Sequence, residues 1–205
     1  RLNAALLPLE EFNINPKYIE VQRLAPYMSR GTDVPVVLDL MIHDIDLVLA
    51  LVKSPVREIS ANGISIMTNS VDMANARIQF QNGTVANITS SRVAKDRVRK
   101  MKVFQQDLYI TVDFLRSLTE VYRVMDADKS DPSAIMSAPL VSKGRHRQIF
   151  YEKPAIKKQD ALKMELENFI EAAQGKVKPI VDGNAGKEAL DLALQIHNKI
   201  LEDIQ

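Results

Sequence analysis

The spacing of apolar residues changes along this chain, and each spacing predicts a different kind of element. Residues 18–24 have the composition of a strand, and residues 36–52 are apolar at nearly every position, which predicts a buried helix. Between residues 56 and 91, β-forming residues and two-residue alternation dominate and predict strands. Helical spacing returns in residues 162–173 and 189–200, which predict two amphipathic closing helices.

Glycine, asparagine and aspartate mark the turns between these elements. Asn82-Gly83 predicts a type I′ hairpin turn, in which both central residues have positive φ. Gly175 is placed to end the first of the two closing helices. Residues 126–144 are rich in Asp, Ser, Pro and Lys and predict a long flexible loop.

The middle third of the chain predicts a meander of antiparallel strands. Its further strand-like runs are residues 100–106, 108–113 and 119–125 and, after the loop, residues 148–151. The strands do not alternate with helices as they do in doubly wound proteins. The pattern therefore predicts an α+β fold, with a large, mainly antiparallel open β-sheet and helices packed on one face.

Composition excludes several classes of protein. The 205 residues include only seven glycines, and no two of them are spaced as G-x-G. Dinucleotide-binding turns and G-x-x-x-x-G-K phosphate loops both need closely spaced glycines, so we expect no cofactor-binding residues in this chain. The 27 basic and 26 acidic residues nearly cancel, so the charge does not indicate a nucleic-acid or membrane partner.

The residue types that are missing or scattered narrow the chemistry further. Cysteine is absent, which rules out disulfides and Cys-ligated zinc and favours an intracellular, cytoplasmic location. His43, His146 and His197 are too far apart for a local metal motif, so we expect no metal. No apolar run approaches the ~20 residues of a membrane span. The chain starts Arg1-Leu2-Asn3 without a methionine and enters a helix-like pattern, so we expect further protein upstream.

The apolar helix at residues 36–52 carries a polar stripe. Its only ionisable residues are Asp39, His43, Asp44 and Asp46. At ~100° per residue, Asp39, His43 and Asp46 fall within about 60° of one another, and Asp44 points elsewhere. Because buried charges are costly without partners, the stripe must face partners or a solvated cleft.

Two interpretations of this stripe are open. Asp39 and His43, four residues apart, can form a purely structural pair in which the helix dipole stabilises the aspartate. Alternatively, the carboxylate fixes the tautomer of a histidine whose pKa lies near neutral, an arrangement suited to taking a proton from a hydroxyl group.

The sequence V-L-D-L-M-I-H-D-I-D-L at residues 37–47 resembles the D-x-x-x-H-x-x-D helix of the glucose-fructose oxidoreductase and inositol dehydrogenase family, often called Gfo/Idh/MocA. Residues 16–23 resemble the first strand after that family's cofactor domain, residues 74–92 its sheet hairpin and residues 165–189 its closing helices. Residues 1–3 are similar to the end of its hinge motif, H-x-E-R-F-N. The resemblance covers nearly the whole chain.

This resemblance implies the C-terminal half of an NAD(P)-dependent oxidoreductase. Family members pair an N-terminal Rossmann domain, which holds NAD or NADP, with a C-terminal α+β domain. Residues 1–15 would then be a helical remnant of the hinge, and residues 16–205 the substrate-binding and oligomerisation domain. His43 matches the acid/base that exchanges the hydroxyl proton, Asp39 matches the active-site aspartate, and Asp46 matches a further motif position, to which we assign structural support.

The family's catalytic lysine lies in an E-K-P motif of the Rossmann half. This chain contains Glu152-Lys153-Pro154, but the tripeptide follows the meander instead of preceding the hinge. We therefore interpret Lys153 as an exposed lysine at a strand end and expect the catalytic lysine outside this chain.

A basic run follows the predicted hairpin. It consists of Arg92, Lys95, Arg97, Arg99, Lys100 and Lys102. One interpretation is a solvated strand protected by its charge. The other places Arg92 or Arg23 at an anionic group of the substrate, such as the diphosphate of a sugar nucleotide, which an arginine fork can bind.

Two functions follow from these observations. The first is the substrate-binding and oligomerisation half of an NAD(P)-dependent oxidoreductase acting on a hydroxyl of a sugar or sugar derivative. It has a sugar-type substrate, forms a homo-oligomer through the sheet, and is inactive without its cofactor half. The second is a non-catalytic dimerisation or partner-binding module that uses the same sheet, with Asp39 and His43 only structural.

Overall fold

A computed structural model describes residues 1–29, 33–129, 131–142, 144–157 and 159–204. Within these ranges the strands form one nine-stranded sheet in the order β2-β3-β4-β1-β5-β6-β7-β9-β8. The strands are β1 Tyr18–Leu24, β2 Val56–Ile64, β3 Met73–Phe80, β4 Val85–Ser91, β5 Val98–Gln105, β6 Leu108–Asp113, β7 Leu118–Asp126, β8 Met136–Ser142 and β9 Arg145–Glu152. Strands β1 and β4 pair in parallel, and the other neighbours are antiparallel. The predicted mainly antiparallel α+β sheet is therefore confirmed.

Helices account for most of the remaining regular structure. They are a 3₁₀ helix at Leu7–Glu11, a π-helical turn at Val37–Met41 that continues into α1 at Ile42–Val52, α2 at Ala161–Ala173 and α3 at Gly183–Ile204. Among the described residues, no helix combines the length and the apolar character that crossing a bilayer requires.

The core lies between one face of the sheet, called the inner face here, and the elements that cover it. On β1 and β5 the buried residues alternate as sequence alternation predicts, with Ile19, Val21, Met101 and Val103 at most 1% exposed. Helices α1 and α3 cover one half of the inner face. Residues 5–14 cover part of the other half, where Thr119 Oγ1 donates to the Ala5 carbonyl oxygen at 2.5 Å.

The turn between β3 and β4 is a hairpin, but not of the predicted type. Gly83 has a φ of 83°, whereas the φ of Asn82 is not positive, so the type I′ prediction is wrong. Gly83 N donates to Phe80 O at 3.0 Å, and Phe80 N donates to Thr84 O at 2.9 Å. These bonds define a type I turn followed by a left-handed glycine, the three-residue alternative. Asn82 contributes its side chain, whose oxygen accepts from Thr84 N at 3.0 Å.

The predicted loop at residues 126–144 contains a strand. Residues 136–142 form β8 at the sheet edge and pair with β9, which runs over residues 145–152 instead of only 148–151. Pro139 is compatible with an edge strand, because one side of such a strand needs no donors. The sequence of β8 has no alternating pattern, and the strand is recognised only by its pairing with β9. Ser130 and Lys143 of the predicted loop lie outside the described residues.

The chain start also differs from its helical expectation. Residues 4–6 form a turn, and a five-residue 3₁₀ helix follows instead of an α-helix. Pro8 lies near the start of this helix, where a missing N–H is tolerated, and Phe12 is already extended. Burial of Ala5, Leu6 and Leu9 in the core holds this segment in place.

Helix α2 begins and ends as the sequence predicts, but its apolar face is uncovered. Asp160 caps the N-terminus by accepting from the backbone N–H groups of residues 162 and 163, and Gly175, with a φ of 74°, follows the C-terminal end. The predicted apolar stripe is exposed: Leu162 at 64%, Leu166 at 54%, Phe169 at 68% and Ile170 at 53%. Helices α1 and α3 therefore pack on the inner face as predicted, whereas the apolar stripe of α2 is exposed.

A fully buried aspartate organises the loop between β2 and β3. Asp72 Oδ2 accepts from the backbone N–H groups of Ile66, Met67 and Thr68 at 2.7 to 2.9 Å, and Oδ1 accepts from Thr68 Oγ1 at 2.7 Å. Burial by itself raises the pKa of this carboxyl group, but the four hydrogen bonds outweigh burial and lower the pKa to about 2.

We expect Asp72→Asn to lower the free energy of unfolding at pH 7 by about 2 kcal/mol. This is the stabilisation that corresponds to a carboxyl pKa lowered from 3.8 in the unfolded chain to about 2 in the folded protein. Because the folded-state pKa is depressed, this stability is present above pH 3.8 and is lost as the pH falls toward 2. Urea unfolding between pH 7 and pH 2 measures the effect, with Asp128→Asn on the exposed turn after β7 as the control. Equal loss of stability in the two variants would contradict the proposed role of Asp72.

Candidate active site

The helix with the polar stripe lies over the inner face at the end of the sheet where β1 and β4 finish. Its apolar residues enter the core, with Val37, Met41, Ile45 and Val48 all 0% exposed, which confirms the predicted buried helix. The first turn is π-helical, since Ile42 N–H donates to Val37 O. The 100° step that the sequence analysis assumed therefore does not hold before residue 42.

Asp44 lies on the buried side of α1 and pairs with an arginine of the sheet. Arg23 Nε donates to Asp44 Oδ2 at 2.6 Å, and Arg23 Nη2 donates to Oδ1 at 2.7 Å. The Asp44 side chain is fully buried, and that of Arg23 is 12% exposed. This two-bonded geometry is the strongest form of such a pair, and it satisfies the only carboxylate of the helix that faces the core.

Asp46 and Asp39 face arginines from two other segments. Arg1 donates to Asp46 through Nε at 2.9 Å and Nη2 at 2.6 Å, which ties the helix to residue 1. Asp39 is half-exposed and lies 4.0 Å from Arg92 Nη2. The buried Arg92 side chain also lies 3.9 Å from Asp72 and donates to the Val34 carbonyl oxygen. All three carboxylates of the helix therefore face a guanidinium group.

His43 differs from these aspartates because its imidazole makes no hydrogen bond or ion pair with any residue that the structure describes. Asp39, its predicted partner, forms no hydrogen bond or ion pair with it in the described structure and acts on it only as a nearby charge. Partial burial is the largest cause that lowers the pKa of His43, and Arg23 is the next. Asp44 opposes them by raising this pKa, and Arg99 and Asp39 make smaller contributions of opposite sign. At neutral pH the ring is therefore uncharged and able to accept a proton.

A cavity of about 410 Å³ opens beside His43, within the range of small-molecule sites. The cavity lies between α1, α2 and the start of α3. Its charged lining residues are Arg1, Asp46, Arg99 and Glu165. Arg99 faces Arg23 across the β5–β1 pair on the inner face. The cavity thus combines a proton acceptor with a guanidinium group.

Sequence analysis identified some of these residues and missed others. Arg23 and Arg92 are the two arginines predicted to contact the substrate. In the structure Arg23 pairs with Asp44, and Arg92 donates to the Val34 carbonyl oxygen and lies near Asp39 and Asp72. Lys153 is half-exposed at the end of β9, as the sequence indicates.

Asp44 and Arg99 were not singled out. The helical projection placed Asp44 away from the polar stripe, on the side that faces the core. A carboxylate in that position needs a buried partner, and this was the sequence signal for the pair with Arg23. Arg99 was counted as one member of a basic run, and no sequence pattern separates it from Arg97 or Lys100.

The described residues do not fit the pyrophosphate of a dinucleotide, which needs a glycine turn between a strand and a helix. Gly63 lies within β2, where an added Cβ would come within 2.8 Å of side-chain atoms of Val71 and Ile200. The other described glycines stand in open turns or in α3, and Gly31 lies outside the described residues. In the described part of the chain, no group of three or more His, Cys, Asp or Glu side chains could hold a metal ion.

Comparison with known proteins identifies relatives. Residues 18–110 match the sequence model of the GFO/IDH/MocA C-terminal domain. UDP-N-acetylglucosamine 3-dehydrogenase from Acidithiobacillus ferrooxidans is 36% identical over 181 residues. The match includes 88% of this chain and 53% of that protein, so the chain spans about half the length of this curated relative.

Solved structures extend the likeness to the whole fold. A structure of the same Acidithiobacillus ferrooxidans enzyme superposes with a TM-score of 0.84 at 33% identity, over 100% of this chain and 60% of that one. An NAD-binding protein from Listeria innocua superposes with a TM-score of 0.70 at 18% identity, over 98% of this chain and 58% of that one. The second likeness concerns the fold alone.

Proposed function

Because the chain contains a C-terminal domain of the GFO/IDH/MocA family, we propose that it is the substrate-binding half of an NAD(P)-dependent oxidoreductase that oxidises a hydroxyl of a sugar derivative. The observation that carries the proposal is His43, whose imidazole has a lowered pKa, lies at the edge of a cavity of ligand size and makes no hydrogen bond with any described residue. The dinucleotide that accepts the hydride would be held by residues outside those described.

The contribution of this chain is the movement of a proton. When a CH–OH group is oxidised to a carbonyl group, the hydroxyl proton must leave, and the uncharged imidazole of His43 accepts it. In the reverse direction the imidazolium returns the proton. The charge that appears on His43 is stabilised by the carboxylates of Asp39 and Asp44, both of which favour the protonated ring.

The arginines facing the helix hold this arrangement in place. Arg23 fixes Asp44 by two short bonds, and Arg1 fixes Asp46 in the same way. Arg92 lies between Asp39 and Asp72 and positions Asp39 at the start of the helix. We therefore assign Arg23 and Arg92 to supporting the site.

The name of the Acidithiobacillus ferrooxidans relative favours a nucleotide sugar as substrate, and UDP-N-acetylglucosamine is the first compound to test. The complete protein is incubated with NAD⁺ or NADP⁺ and with UDP-N-acetylglucosamine, N-acetylglucosamine, glucose or myo-inositol. Formation of the reduced dinucleotide is followed by absorbance. Turnover with the nucleotide sugar supports the proposal, and no turnover with any of the four compounds contradicts it.

We also propose that a second copy of this chain binds the outer face of the sheet, opposite the helices. Five aromatic rings form a row across β1, β5, β6, β7 and β9, with neighbouring centroids 4.6 to 5.8 Å apart. They are Tyr18, Phe104, Tyr109, Tyr122 and Tyr151.

The charges beside this row are already balanced within the face, because Lys102 pairs with Glu20 at 3.2 Å and Lys153 lies 3.9 Å from Glu120. A row of aromatic rings flanked by charges that are already paired suits a two-fold contact between copies. Nine strands about 4.8 Å apart, each about seven residues long, offer on the order of 1,000 Å², and a stable interface buries about 800 Å² per partner.

We expect Tyr109→Glu, at the centre of the row, to shift the protein from dimer or higher oligomer to monomer, since it places a charge in the apolar part of the contact. Sedimentation velocity of the complete protein measures the change. Tyr27→Glu, on the segment after β1 and away from the row, is the control and is expected to leave the oligomer intact. An oligomer that persists in the Tyr109 variant places the interface elsewhere.

A further inference from the structure

One guanidinium group of the cavity is unused by the contacts described so far. The side chain of Arg99 makes no hydrogen bond or ion pair within the part of the chain that the structure describes, and its buried Nε has no hydrogen-bond partner. Its guanidinium carbon lies 4.9 Å from the centre of the Phe114 ring, so the flat cation is stacked on an aromatic face. The group is held in place while its donors stay available.

Among the described residues, Arg99 has no direct ion-pair partner, and Asp44 is the carboxylate that acts on it from a distance. Arg23, its neighbour across the strand pair, is neutralised by Asp44, and Arg1 by Asp46. Glu165 lines the same cavity but forms no ion pair with Arg99 in the described structure. Burial and the nearby Arg23 disfavour the charged guanidinium of Arg99 and lower its pKa more than Asp44 raises it, so an anionic ligand at this position would be stabilising.

Arg99 also lines a second cavity, of about 500 Å³, next to the one beside His43. The second cavity lies along α2, and its walls include the exposed apolar side chains of Leu162, Leu166 and Phe169. Arg99 therefore stands at a wall common to the cavity that contains His43 and a second cavity with a larger share of apolar side chains.

We propose that Arg99 binds the diphosphate of the substrate, with the sugar directed toward His43 and the nucleoside toward the cavity along α2. This inference rests on the proposed function and adds the residue that selects an anionic sugar derivative over a free sugar. A guanidinium fork matches two phosphate oxygens at once, which neither a lysine nor an amide does. Stacking on Phe114 fixes the plane of the fork before the ligand arrives.

The test compares three variants of the complete protein: Arg99→Met, which keeps the stem on Phe114 but removes the charge, Arg99→Lys, which keeps the charge but removes the fork, and Arg97→Met. Arg97 is exposed in the same basic run and serves as the matched control. We expect KM for UDP-N-acetylglucosamine to rise about 10- to 100-fold in Arg99→Met. This range corresponds to the loss of a hydrogen bond to a charged group, worth about 1.5 to 3 kcal/mol, since each 1.4 kcal/mol changes an equilibrium constant about tenfold. In Arg99→Lys the rise is smaller, and in both variants kcat changes little.

Calorimetry gives a readout that does not depend on turnover. Binding of UDP-N-acetylglucosamine to the complete protein weakens in Arg99→Met by the same factor, while any binding of free N-acetylglucosamine is unchanged. Unchanged KM and affinity in Arg99→Met, in a wild-type protein that does oxidise the nucleotide sugar, overturn the assignment of Arg99 and leave the proposed function intact. A raised KM for the dinucleotide alone overturns it too, because Arg99 then binds a cofactor phosphate.

If the wild-type protein oxidises none of the sugars, the proposed function fails first. A lower melting temperature of Arg99→Met without a change in either KM identifies Arg99 as a contact to another part of the protein, which also overturns the inference.

Discussion

Replacing His43 by Gln is expected to lower kcat for sugar oxidation by the complete protein about 10²- to 10⁴-fold, the range that a positioned acid or base supplies. Glutamine keeps much of the polar surface but cannot take up the hydroxyl proton. Because the His43 side chain is only partly buried and makes no hydrogen bond within the described structure, the variant should fold normally. The measurements are kcat and KM with saturating dinucleotide, together with the circular dichroism spectrum.

His146→Gln is the matched control, since His146 is exposed on β9, which lies next to the edge strand β8 and several strands away from β1. Its kcat should equal that of the wild type. Nearly normal turnover in the His43 variant, with an unchanged fold, would favour the non-catalytic dimerisation or partner-binding module instead.

The pH dependence of the same reaction gives a second sign of the role of His43. Its pKa is lowered below the ordinary value of 6.5 by burial and by Arg23 and Arg99. The imidazole acts as a base only when uncharged, so oxidation is expected to be constant with respect to this group above pH 6.5 and to fall as the pH drops through the lowered pKa. The His43→Gln variant should lack this acidic limb of the kcat/KM profile.

Local periodicity predicted the elements whose burial alternates or repeats regularly. Strands β1 and β6 were predicted at their observed bounds, and the buried helix at residues 36–52 was predicted in extent. In β1 and β5, buried apolar residues of the inner face alternate with polar and aromatic residues of the outer face, and this alternation is visible in the sequence. Strand β8 was missed because an edge strand with Pro139 has no alternating pattern, and its pairing with β9 decides its structure.

The candidate site was predictable only along its own helix. The D-x-x-x-H spacing indicated His43 and Asp39, but it also suggested that they touch. That suggestion assumed α-helical geometry, whereas the turn before residue 42 is π-helical and turns by a different angle per residue. The arginines that face the helix come from β1, from residue 1 and from the residue after β4, and no local pattern specifies which arginine meets which carboxylate. For the same reason Arg99 was indistinguishable from its basic neighbours until β5 was placed beside β1.

The pair of Arg23 and Asp44 leads to the largest expected effect on stability. Asp44 is fully buried, and Arg23 is nearly so. Removing one partner of a buried pair leaves an uncompensated charge and costs about 3 to 5 kcal/mol. We therefore expect Asp44→Asn to lower the free energy of unfolding by about 3 kcal/mol or more in urea unfolding followed by circular dichroism.

The double variant Arg23→Met, Asp44→Leu separates the stability of the fold from the electrostatics of the site. Replacing both charges with apolar side chains of similar size is expected to restore most of the lost stability, because a buried pair gains little over good packing. The pKa of His43 should respond differently, since Arg23 lowers it more than Asp44 raises it. Asp44→Asn should lower the pKa of His43 further, and the double variant should bring it above that of the wild type. Nuclear magnetic resonance titration of the His43 ring measures both shifts, and an unchanged pKa in both variants would contradict the claim that this pair controls the proton acceptor.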